Sequence, residues 1–185
     1  MIIKNSIYYL PGWGGQLNTG LGQALISRGF DITGRETRGD FKDLGFNGQV
    51  SRVAQDLQDH FWTPESKVIA NSFGGYLFLH AQAMLAPYPG KVVLLSPIVG
   101  EFGDTDREMN FIPPYAERLF NLIESNQMTA PVNAEIHTGE LDWQSNPAAV
   151  KKLGEALLIP VNIVAGAGHG LPKEYVSKIL NCFLL

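Results

Sequence analysis

The sequence predicts an α/β fold: a three-layer sandwich in which helices cover both faces of a six-stranded parallel sheet. Short apolar runs alternate six times with stretches of helical periodicity, the pattern of right-handed βα units. The run Val92-Val93-Leu94-Leu95 is continuously apolar, as a strand covered on both faces must be. The chain has 185 residues, 45% of them hydrophobic, enough to bury one sizeable core. No repeat, low-complexity segment or linker divides it, so residues 1–185 are read as a single domain.

The elements follow in order. Ile7-Tyr8-Tyr9-Leu10, ended by Pro11-Gly12, is the first strand. Gly12-Trp13-Gly14-Gly15 is a loop whose backbone can approach a ligand closely. Leu17 to Arg28 has helical spacing, with Gly29 at its stop. Phe30-Asp31-Ile32-Thr33 is a weak second strand, and the polar, glycine-rich 34–48 stretch reads as a loop. Val50, Val53, Ala54, Leu57 and Phe61 share one helical face. The third strand, Lys67–Asn71, runs into the helix Gly74–Leu85, which Pro87 and Pro89 close. Val92–Leu95 is the fourth strand.

Residues 98–114 read as irregular, and Tyr115 to Gln127 as a helix. Ala134–Thr138 is the fifth strand and Pro147–Leu157 a helix. Pro160–Ala165 is the last strand and Lys173–Leu184 the last helix.

Charge and cysteine content exclude some functions. The net charge of −4 carries no long run of one sign, so neither a nucleic-acid backbone nor an anionic membrane surface is an expected partner. No apolar run reaches the ~18–20 residues of a membrane span. Met1–Ser6 lacks the basic start and long apolar region of a leader. One cysteine, Cys182, excludes a disulfide within the chain and reads as a small apolar side chain on the last helix. The expected setting is the cytoplasm. No metal and no cofactor are expected.

In an open parallel sheet, ligands bind beyond the carboxyl ends of the strands. Four chemically suggestive segments follow strands directly. Ser72 sits in Ala70-Asn71-Ser72-Phe73-Gly74, between the third strand and its helix. Alone, such a serine is as readily a helix cap. In a sharp strand-to-helix turn it is a nucleophile held clear of both elements, and small residues two before and two after let the turn close. His169, in Gly166-Ala167-Gly168-His169-Gly170, is flanked by small residues and can be aimed at Ser72 to take its proton. His60, His80 and His137 lie on regular elements and read as structural.

Asp142 leaves the fifth strand and can orient and stabilise the imidazolium. Glu140, Asp104 and Asp106 compete for that role. Backbone amides of Trp13 and Phe73 can form an oxyanion hole. A phosphate loop at Trp13 is disfavoured because no Gly-Lys-Ser/Thr follows.

Together, Pro11-Gly12-Trp13-Gly14, Asn71-Ser72-Phe73-Gly74-Gly75, Gly139-Glu140-Leu141-Asp142 and Gly166-Ala167-Gly168-His169 resemble the motifs of the α/β-hydrolase fold family, in its order of serine, acid, histidine. The resemblance runs from Ile7 to Leu184. It implies strand order 2-1-3-4-5-6, Ser72 as nucleophile, Asp142 as acid, His169 as base, and Trp13 and Phe73 amides as the oxyanion hole. The chain departs from the family pattern in having Pro11 where a histidine is usual and Ala70 in place of the first elbow glycine. Two N-terminal strands are missing. A short insert at about 99–128 stands where a large cap is common.

Trp13, Phe102, Phe111, Tyr115 and Trp143 are the candidate lining of an apolar substrate cleft. Arg35, Arg38 and Arg107 lie in loops and read as solvated. The expected activity is a serine hydrolase acting on a small-molecule carboxylic ester or thioester of a small or medium apolar acyl group. An acyltransferase with the same three residues, or a non-catalytic binding protein keeping the fold, are the other readings.

Overall fold

The computed structural model of the chain describes residues 6–184. Met1–Asn5, most of the stretch read as lacking a leader, lies outside the described residues. Among the described residues no helix is long and apolar enough to cross a membrane.

Six parallel strands form the sheet. They are β1 (Ser6–Leu10), β2 (Asp31–Gly34), β3 (Lys67–Asn71), β4 (Lys91–Leu95), and, after a two-stranded hairpin of β5 (Phe102–Asp104) and β6 (Met109–Phe111), β7 (Asn133–Gly139) and β8 (Val161–Val164). The order is β2-β1-β3-β4-β7-β8. With the hairpin strands set aside, this is the expected 2-1-3-4-5-6. Every pairing in this sheet is parallel.

Alternation along the central strands sorts their side chains to two cores. Tyr8, Leu10, Val68, Ala70, Val92 and Leu94 point to one face, covered by α3 (Gly45–His60), α4 (Phe73–Gln82), α5 (Arg118–Glu124) and α6 (Pro147–Leu157). Ile7, Tyr9, Ile69, Val93 and Leu95 point to the other, covered by α1 (Gly20–Ile26) and α7 (Lys173–Leu184). The register Tyr9↔Ile69↔Val93 makes that second face a continuous row across three strands.

The elements differ from expectation in five main places, one being the start of α3 at Gly45 rather than Val50. The first helix begins at Gly20 rather than Leu17, because Thr19 is extended at φ −127°, ψ 161°; the Leu17 amide ahead of it donates to Glu36 Oε1 at 3.2 Å. The 34–48 loop contains a short helix, α2 (Gly39–Asp43), whose Phe41 is buried. Gln49 Nε2 donates to the Phe41 and Lys42 carbonyls and ties α2 to α3. The irregular 98–114 segment forms the β5–β6 hairpin, with Phe102 packed on Phe111 at a ring distance of 5.1 Å. The helix expected over Tyr115–Gln127 is confined to Arg118–Glu124. Tyr115 has φ 59°, which no α-helix admits.

The three loop arginines are all paired with carboxylates; Arg38 and Arg107 remain exposed as expected, and Arg35 is partly buried. Arg35 holds Asp56 through two 2.6 Å bonds, Arg38 meets Glu36 and Arg107 meets Asp104. Asp56, buried on α3, also accepts from the Tyr8 hydroxyl at 2.8 Å, so one carboxylate joins β1, the β2–α2 connection and α3. Cys182 is exposed on α7, not part of the core.

Candidate active site

Ser72 occupies the turn between β3 and α4. Its backbone is at φ 51°, ψ −121°, a region that costs a non-glycine residue roughly 1–3 kcal/mol. Three backbone bonds hold it there. Its amide donates to Leu95 O at 3.0 Å, and its carbonyl accepts from Ile98 N at 3.2 Å and Tyr76 N at 3.3 Å. Gly74 is required in this turn, because a Cβ there would overlap the Leu10 carbonyl. Ala70 is accommodated within β3, fully buried against the α3–α4 side of the core.

His169 stands on the loop between β8 and α7. Its Nε2 lies 2.9 Å from Ser72 Oγ. Its Nδ1 lies 2.9 Å and 3.0 Å from the two carboxylate oxygens of Asp142. The three side chains come from three different strand ends, and 97 positions separate the serine from the histidine.

Asp142 is buried and fully engaged. Its Oδ1 accepts from the amides of Gln144 (3.0 Å) and Ser145 (2.9 Å), and its Oδ2 from Thr138 Oγ1 at 3.3 Å. Burial alone pushes a carboxyl pKa up. Here the His169 ring and the Ser145 amide outweigh it, and the Asp142 carboxyl is held below its ordinary value. The aspartate is therefore an anion aimed at one ring nitrogen, while the other ring nitrogen faces Ser72 Oγ.

The competing acids point elsewhere. Glu140 Oε2 accepts from the Gly166 amide at 2.9 Å and so fastens the start of the histidine loop. Asp104 caps the amides of Asp106 and Arg107 in the hairpin turn, and Asp106 is exposed there. The other histidines are elsewhere too. His60 is exposed at the end of α3. His80 is buried between the rings of Phe46 and Tyr76, and burial lowers its pKa to about 3. His137 Nδ1 meets the Tyr175 hydroxyl at 2.9 Å.

Trp13 lies in the loop after β1 and packs edge-on against Phe73, with ring centroids 4.9 Å apart. Their two amides thus belong to neighbouring segments on the rim beside Ser72. Thr37 sets the course of the Trp13 loop. Its hydroxyl donates to the Gly12 carbonyl and accepts from the Gly15 amide at 3.0 Å, while its own carbonyl accepts from Gly14 N at 3.2 Å. Nothing in the sequence marks Thr37, which lies in the stretch read as a plain loop.

The five aromatic residues expected to line one cleft separate into two groups. Trp13 and Tyr115 join Phe73, Phe46 and Tyr76 in a chain of ring contacts over α3 and α4. Phe102, Phe111 and Trp143 pack together at the hairpin. A cavity of about 620 Å³ does reach Ser72 and His169, but it lies on the opposite face, between α1 and α7, and none of the five lines it.

No protein-family model and no curated protein sequence matches the chain. Solved structures do. An α/β hydrolase domain-containing protein 10 from mouse superposes with a TM-score of 0.67 at 15% identity, over 96% of this chain and 86% of that one. A monoacylglycerol lipase from Paleococcus ferrophilus gives 0.62 at 13% identity, over 97% and 93%. An esterase from Rhodococcus sp. gives 0.60 at 15% identity, over 97% and 90%. At such identities the likeness establishes the shared fold and leaves chemistry to the side chains.

Proposed function

We propose that this chain, which has the α/β-hydrolase fold, is a serine hydrolase that cleaves a carboxylic ester or thioester of a small or medium apolar acyl group. The observation that carries the reading is the unbroken relay Ser72 Oγ–His169 Nε2 at 2.9 Å and His169 Nδ1–Asp142 at 2.9 Å. Each contact lies within hydrogen-bond reach, the geometric requirement for base-assisted nucleophilic attack.

The steps follow from these atoms. Ser72 Oγ attacks the carbonyl carbon as its proton passes to His169 Nε2. Negative charge gathers on the carbonyl oxygen, where the Trp13 and Phe73 amides stabilise it. Asp142 stabilises the imidazolium through Nδ1–H. The bond from carbon to the leaving oxygen or sulfur breaks, and His169 returns its proton to that atom. Water then attacks the acyl-enzyme, giving its proton to Nε2, and the carboxylic acid departs as Ser72 regains a proton. The strained Ser72 backbone keeps Oγ presented throughout. A cytoplasmic setting accords with the lone cysteine.

The test is covalent labelling. A fluorophosphonate probe is expected to label the wild-type protein, and Ser72→Ala to abolish labelling while ester hydrolysis falls by several orders of magnitude. Folded wild-type protein that never labels and cleaves no ester rejects the reading.

A further inference from the structure

Both helices on the second face of the sheet follow strands at the carboxyl rim, α1 after β1 and α7 after β8. The cavity of about 620 Å³ lies between them. One face of α7, from Lys173 through Val176 and Ser177 to Leu180, lines it over about 10 Å at 1.5 Å per residue. Of the lining from α1 and its C-terminal end, Gly20, Ala24 and Ser27 are small and leave space, while Leu21, Gln23 and Arg28 also border it. Leu95 and Leu171 add to the apolar lining.

The two ends of this groove differ. One end is bordered by Ser72 and His169. At the other, Arg28 spans the helices, donating from Nη1 to Ala24 O at 2.9 Å and from Nη2 to Ser177 Oγ at 2.7 Å. The groove is thus mainly apolar, with Gln23 and Ser177 among its lining, bounded by Arg28 far from the rim and continuous with Ser72 and His169 at the rim.

We propose that this groove holds the acyl moiety of the substrate as a linear alkyl chain lying between α1 and α7. The inference rests on the serine-hydrolase reading above and adds the site of the acyl group. The acyl group stays bonded to Ser72 through both half-reactions, whereas the alcohol or thiol must leave before water reaches the same carbon. A one-ended apolar groove suits the part that stays. The leaving group departs across the open rim, where Trp13 and Tyr115 are exposed on the other side of Ser72.

The experiment compares kcat/KM for p-nitrophenyl acetate, butyrate, octanoate and dodecanoate, with ethyl and octyl acetate as a second series varying only the alcohol. Ala24→Phe fills the groove and is expected to lower the octanoate-to-acetate ratio by about tenfold or more. Arg28→Ala opens the far end and is expected to move the preferred acyl chain toward dodecanoate, and it decides the matter if Ala24→Phe does not fold. Wild-type acyl ratios in the folded variants overturn the proposal. So does an effect confined to the octyl acetate series, or a Phe46→Ala variant that shifts the acyl profile when the groove variants do not. Fluorophosphonate labelling separates the two levels. Labelled wild type with unchanged ratios sinks the groove alone, while no labelling and no ester cleavage sinks the hydrolase reading and the groove with it.

Discussion

Gly139, the last residue of β7, packs against the Ala167 carbonyl so closely that a side-chain carbon at 139 would overlap that oxygen. The Leu141 amide donates to the same carbonyl at 2.8 Å. The turn that carries Asp142 and the loop that carries His169 are therefore interlocked through backbone atoms. Gly139→Ala must displace one of them. It is expected to lower kcat about 100-fold with the protein still folded, because small misplacements of catalytic groups are costly. Steady-state kinetics beside a thermal unfolding curve checks this. A variant with wild-type kcat shows that the interlock does not position the histidine.

Asp142 and Glu140 can be told apart by substitution. Asp142→Asn keeps the shape but offers Nδ1 of His169 no anion, and kcat is expected to fall about 10,000-fold. Glu140→Gln can still accept from the Gly166 amide, so kcat should change less than about tenfold. The reverse ranking would assign the acid to Glu140.

His80 should make the protein sensitive to acid. It is buried, neither ring nitrogen has a hydrogen-bond partner, and burial lowers its pKa from 6.5 to about 3. Between those values the unfolded chain binds the proton and the native chain does not, so stability falls as pH falls, by about 1.4 kcal/mol per unit. His80→Phe keeps a ring against Phe46 and Tyr76 and removes the titration. From pH 7 to pH 5 the wild type should lose about 2 kcal/mol more than the variant in urea unfolding. Parallel pH curves for the two proteins would refute the assignment. Asp142, held below the ordinary carboxyl value, acts in a separate window. Its contribution is full above pH 3.8 and is lost only as the pH falls through the lower native value.

Asp56 is expected to matter for stability rather than turnover. Asp56→Ala leaves the fully buried Tyr8 hydroxyl without its acceptor and releases Arg35. A loss of about 2 kcal/mol in chemical denaturation is expected, with KM unchanged. A loss below about 0.5 kcal/mol would show that the hydroxyl finds another partner.

The strands and most helices were legible because burial imposes a period. Val92–Leu95 is apolar throughout since helices cover both its faces, and Pro147–Leu157 is bounded by a proline at its start and an apolar stripe along its length. The hairpin at 102–111 escaped notice because three-residue strands are too short for a period to register. The α3 helix starts early, at Gly45, because tertiary contacts of Phe46 with Phe73, Tyr76 and His80 override the weak helix propensity of two glycines.

By itself the sequence determined the α/β class, the strand order through its resemblance, and the candidates Ser72, Asp142 and His169. Topology alone brings the ends of successive parallel strands to one rim, so residues just after strands are gathered whatever their separation along the chain. Tertiary structure alone decided which acid faces His169, that Thr37 braces the Trp13 loop, and that the space beside Ser72 lies between α1 and α7 rather than among the aromatic residues of the insert. Those outcomes turn on distances between side chains far apart in sequence. Local periodicity carries no information about such distances. They exist only once the two cores have packed.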